Sequence, residues 1–158
     1  MYNVCHDRKN DLYCIACCSF EKIDPNSTEQ RSKLKKEVEE NTTFFKNKKI
    51  KSKIQLGIHR YYASREDKNS LVCGNVVYLD ENKKAVGCAI HPNIVGDDQR
   101  PCHILAFCNE YFKINESKEK IDEHIKSNKN CNWIKYSARL REKVDVWSLL
   151  AGYIKSKI

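Results

Sequence analysis

Three cysteines within five residues, Cys14-Ile-Ala-Cys17-Cys18, are the densest chemistry in the chain. Packing does not call for thiols there, whereas soft ligands gathered on one tight loop suit a metal. In Cys14-x-x-Cys17 the two intervening residues let both sulfurs face one point, with backbone N–H groups able to aim at the thiolates. Zinc and iron–sulfur sites reuse the spacing for that reason. Cys18 differs, because adjacent side chains diverge and rarely serve one closed tetrahedral site. It suits a second metal, another atom of a cluster, or the core. Tetrahedral closure takes four ligands, so the loop needs help from elsewhere, and Cys73, Cys88 and Cys102 are the candidates. Each also has the plainer reading of a small buried hydrophobe. For Cys5, Cys108 and Cys131 that reading competes on equal terms or better. His91 and His103 flank the second group and can complete a site through imidazole, though such histidines more often stand outside the ligand set.

The chain has nine cysteines in 158 residues, an odd count. Its start, Met1-Tyr-Asn-Val-Cys-His, has no apolar signal-like region, and no apolar run approaches the ~20 residues of a membrane span. The expectation is a cytoplasmic protein with reduced thiols, no membrane partner, and metal or redox chemistry in preference to a disulfide scaffold. Hydrophobic residues at 41 % and charged residues at 32 % fit a globular chain. The formal charge of +8 suggests acidic partners, nucleic acid among them. Thiolates around a metal would draw on the same surplus, so charge separates neither metals nor partners.

The elements that must position these cysteines are legible in outline. Residues 1–25 read as mostly irregular, with a short helical turn at the cluster. Ser27, with Gln30 three residues on, starts a helix whose one face carries Leu34, Val38 and Phe45. A second helix is expected near 50–64, with Ile54, Ile58 and Tyr61 or Tyr62 at helical spacing. Its approach, Lys46 to Lys53, holds five lysines around Ile50, and the basic, aromatic stretch from Lys46 to Arg65 is the best nucleic-acid candidate. A solvated helix with tyrosine packed inward is the commoner outcome. Val76–Leu79 and Ala85–Ile90 flank a turn and predict a β-hairpin that brings Cys73 and Cys88 together. Residues 92–101 read as a loop leading to Cys102. Ser117 caps a short helix with Ile121 and Ile125. Trp133, Ser137, Leu140, Val144, Trp147, Leu150 and Ile154 line a stripe that predicts a packing helix from about 132 to 156. The expected class is α+β, mostly helical, with a small β-hairpin and irregular metal-bound loops, in one domain spanning 1–158.

The blocks Cys14-Ile-Ala-Cys17-Cys18, Gly-Cys88-Ala-Ile90-His91 and Arg100-Pro101-Cys102 resemble the family named for its CxxCxxCC motif, a zinc- or iron-chelating domain. The similarity touches about residues 11–20 and 73–108. It implies metal chelation by Cys14, Cys17, Cys18, Cys88 and Cys102, with Cys73 added. Asp11 stands where the family has its first cysteine, so that either its oxygen or Cys5 would take that place. Cys73 lies three residues early, a loop lengthens the approach to Arg100-Pro101, and His103 replaces an arginine.

Three functions follow as expectations. The first is a cysteine-rich protein whose zinc, or alternatively iron, ties the N-terminal loop to the 73–102 region. The second is an iron–sulfur enzyme of protein modification or redox chemistry, since a flagellin lysine-methylating family carries a related cysteine cluster. No glycine-rich nucleotide loop of the GxGxxG type accompanies it, and the chain has five glycines in all. The third is a basic nucleic-acid-binding module. No catalytic set, substrate or protein partner emerges from spacing.

Overall fold

The structure is a computed structural model that describes residues 2–3, 6–96, 99–102 and 114–142. Cys5, His103, Cys108 and the continuation of the C-terminal stripe through Val144, Trp147, Leu150 and Ile154 lie outside the described residues. The fold is α+β and mostly helical, with two small antiparallel sheets.

The N-terminal region is less irregular than its composition suggests. Strands β1 (His6–Asp7) and β2 (Leu12–Tyr13) pair with His6 opposite Tyr13. Asp7 closes the turn by accepting from the amides of Lys9 and Asn10, and Asp11 takes the left-handed conformation at φ 55°. A 3-10 turn, Ala16–Cys18, follows at the cluster.

Helix α1 (Thr28–Phe45) begins at Ser27, whose hydroxyl accepts from the Gln30 amide. Leu34, Val38, Asn41 and Phe45 form its buried face and pack on strand β3 (Val76–Tyr78). Helix α2 (Ile50–Glu66) runs close to the sequence-based bounds and buries Tyr61, together with Gly57. Strands β3 and β4 (Val86–Cys88) form the expected hairpin, with Val76 opposite Cys88. Asp80 holds its turn by accepting from the amides of Lys84 and Ala85.

Two further segments differ from expectation. Residues 92–95, read as loop, form a single turn of helix, α3 (Pro92–Val95). His91 caps it through Nδ1, Pro92 is preset at its start, and Gly96 ends it at φ 84°. Helix α4 (Lys118–Asn128) starts at the expected Ser117 cap but buries His124 and Asn128, with Ile121 and Ile125 only half-buried. The reason is a polar contact: His124 Nε2 lies 2.8 Å from the hydroxyl of the fully buried Tyr136. Such a pair is satisfied inside the core.

Helix α5 (Trp133–Arg141), capped by Asn132, falls within the expected 132–156 span and buries Trp133, Ser137 and Leu140 of the stripe. It packs on β2 and on the 3-10 turn, so the last described helix supports the first cysteine loop. The main core joins Ile15, Leu34, Val38, Tyr61, Val76, Val86 and Trp133.

Candidate metal centre

All six candidate ligands, Cys14, Cys17, Cys18, Cys73, Cys88 and Cys102, line one cavity of about 110 Å³. That size suits metal ions and falls short of the ~300 Å³ at which small-molecule pockets begin. Three arrangements bring five of them, all but Cys102, there. Ser137 accepts from the Ile15 amide at 2.9 Å, pinning the cluster loop to α5. Residues 18–20 then pair with 71–73, through Phe20 N–H to Leu71 carbonyl at 2.9 Å and Cys73 N–H to Cys18 carbonyl at 2.8 Å. Glu37 of α1 holds that second strand by accepting from the amides of Leu71 and Val72. Finally, the hairpin register places Cys88 opposite Val76, three residues past Cys73.

The local backbone favours thiolates. The Ala16 amide donates to Cys14 Sγ at 3.2 Å. The Asn75 amide donates to Cys73, and the Ile90 amide to Cys88. Each donor lies two residues past its cysteine, so one local turn recurs in all three segments. Burial opposes these donors. It pushes the Cys73 thiol up to about 11 and the Cys88 thiol up to about 12. Cys18 is raised too, by burial first and then by its neighbours Cys73, Cys102, Cys88 and Cys17. Mutual repulsion among would-be thiolates is what a shared cation relieves. Arg100 on the lining acts on Cys88 in the opposite direction, as Arg65 does on Cys73.

Asn75 adds an observation of a different kind. It is 2 % exposed and lines the cavity, and its amide nitrogen donates to the Gly57 carbonyl, yet its Oδ1 has no hydrogen-bond donor among the described residues. A buried acceptor of this sort usually meets a donor carried by water or ligand. Donor set, cavity size and orphaned acceptor all fit a metal centre. As the side chains stand, no three His, Cys, Asp or Glu among the described residues meet in metal-binding geometry.

Spacing did not single out His6, which lines the same cavity and stacks on His91 with centroids 5.5 Å apart. Burial first, with smaller electrostatic contributions from His91 and Arg8, lowers its pKa to about 4 and keeps it neutral. Gly87 makes room for it: a Cβ there would lie 2.7 Å from the His6 ring. His91 also lines the cavity, but its Nδ1 accepts from the Asn93 amide, which leaves the proton of the neutral ring on Nε2, the donor end. Cys131 is buried in a separate cluster with Leu12, Ala16 and Tyr136 and does not line the cavity. Asp11 is exposed in the β1–β2 turn and does not line it either.

The basic stretch of α2 is split by the fold. Tyr61 is 2 % exposed, and Arg60 donates to the Gly74 carbonyl and to Asn41, its guanidinium 4.1 Å from the Phe44 ring centre. Compared with known proteins, the chain matches no family model, no curated protein and no solved structure. Among the described residues no helix is long and apolar enough to cross a membrane.

Proposed function

We propose that this is a metal-binding protein in which Cys14, Cys17, Cys18, Cys73, Cys88 and Cys102 hold zinc. The carrying observation is that six cysteines from four separate segments line one small cavity. Zinc comes first because closed thiolate sets are its common structural form. Bound there, it supplies folding energy on the order of 10 kcal/mol. Zinc would be held by these thiolates, and the amides of Ala16, Asn75 and Ile90 would stabilise their negative charge. All seven described cysteines are free of disulfides, which fits a reducing, cytoplasmic setting. The resemblance to the CxxCxxCC family supports the same ligand set.

Elemental analysis and an absorption spectrum on anaerobically purified protein test this reading. One or two equivalents of zinc in a colourless protein are expected. A brown protein with iron and sulfide would replace it with the iron–sulfur alternative, and a metal-free, folded protein would overturn both. Replacing Cys17 and Cys88 together with serine should abolish stoichiometric binding.

A further inference from the structure

A second concave surface lies away from the cysteines. It is a groove of about 900 Å³ whose lining shares no residue with the thiol cavity. Four separate elements each send lysine to it: Lys9 from the β1–β2 turn, Lys35 from α1, Lys83 and Lys84 from the β3–β4 turn, and Lys126 and Lys129 from the end of α4. All six are exposed. Only Asp11 and Asp122 oppose them on the lining, and Lys83 alone has an ion-pair partner among the described residues, Glu39 at 2.6 Å. Collecting ammonium groups around one groove costs self-repulsion, and an anionic occupant removes that cost.

We propose that this groove binds the phosphodiester backbone of a single-stranded nucleic acid. A row of point charges on flexible stems matches successive phosphates. The lining contains no arginine, whose planar fork serves carboxylate and phosphate alike, so the lysines act as point charges without bidentate selection. The start of α5 adds directional donors, since Trp133 and Ile134 on the lining are first-turn residues whose amides have no acceptor within the helix. Asn10 and Asn130 supply further polar contacts to sugar or phosphate. Trp133 is only 4 % exposed and offers no stacking face, so binding is insensitive to base sequence. A concave groove admits a single strand more readily than a duplex rod. The groove shares no lining residue with the thiol cavity, and it is distinct from the lysines at the start of α2.

The test is fluorescence anisotropy of metal-loaded, full-length protein with labelled twelve-residue oligothymidylate and oligouridylate across a salt series. The wild type should bind both with similar affinity that falls steeply with salt. Each neutralised phosphate contributes about −0.7 to the logarithmic slope, so the triple variant Lys35→Gln, Lys84→Gln, Lys126→Gln should lose roughly 100-fold at about 0.1 M salt and flatten the slope by about 2. The corresponding Lys→Arg triple variant should retain binding. A control with Lys48→Gln, Lys49→Gln and Lys51→Gln should keep the wild-type slope. Absence of salt-dependent binding, wild-type affinity in the glutamine groove variant, or loss confined to the α2 control would overturn the proposal. So would tighter binding of a twelve-residue glutamate peptide, which would mark the groove as a site for acidic protein.

Discussion

Cys73 and Cys88 show how much of the site depends on opposing local effects. Each accepts an amide N–H from two residues on, which favours the thiolate, yet burial wins and leaves the thiols near 11 and 12. At pH 7 both therefore carry protons that a metal must displace. Zinc binding should release at least two protons, and the apparent affinity should rise about tenfold per pH unit for each thiol deprotonated on binding. Calorimetric titrations in buffers of different ionisation enthalpy measure this directly, and a proton count near zero would contradict ligation by either thiol. The cysteines stood out as candidate ligands because softness and the x-x spacing are properties of the chain itself. His6 and Asn75 were not, because a histidine or asparagine carries no such signature until the fold turns it into the cavity.

At the scale of elements, two contacts decide how firmly the cysteine segments are held. Ser137 is fully buried and accepts from the Ile15 amide. Replacing it with alanine leaves that amide without a partner, which costs about 1–3 kcal/mol. Ser137→Ala should lower the denaturation midpoint and weaken zinc binding together; a change in stability with unchanged affinity would separate α5 from the site. Gly57 of α2 lies under Ile90, where an added Cβ would come within 2.5 Å of the Ile90 Cγ2 methyl. Gly57→Ala gains up to about 1 kcal/mol in helix propensity. Because Ile90 is 1 % exposed, the overpacking, about 1–3 kcal/mol, should win. Denaturant unfolding should give a net loss of about 1 kcal/mol, and a gain would mean that the hairpin yields at no cost. The starts of α1 and α4 were readable from Ser27 and Ser117, since caps act within a few residues, and that of α5 from the periodicity of its stripe. The face of α4 was not: two half-buried isoleucines follow the periodicity, but the hydroxyl of Tyr136, from another helix, draws His124 inward.

Across the whole molecule, the proposed metal would be coupled unevenly to the fold. The cysteine-bearing segments 14–20, 71–76 and 86–90 have short strands and a single 3-10 turn, whereas α1 and α2 run 18 and 17 residues. Chelation should therefore raise amide exchange in those three segments well above any change in α1, α2 or the 133–141 helix. Uniform exchange after chelation would argue against a centre that clasps the segments. The sequence by itself determined the class of fold, the starts of α1 and α4 and the hairpin, and it raised metal chemistry as an expectation, because caps, turns, periodicity and thiol spacing act over a few residues. Tertiary structure alone decided that the N-terminal and hairpin cysteines line the same cavity. It excluded Cys131 and Asp11 from that lining and turned Tyr61 and Arg60 inward. It also gathered lysines from four distant segments into one groove. Those outcomes depend on which residues far apart in the chain become neighbours, and no local spacing records that.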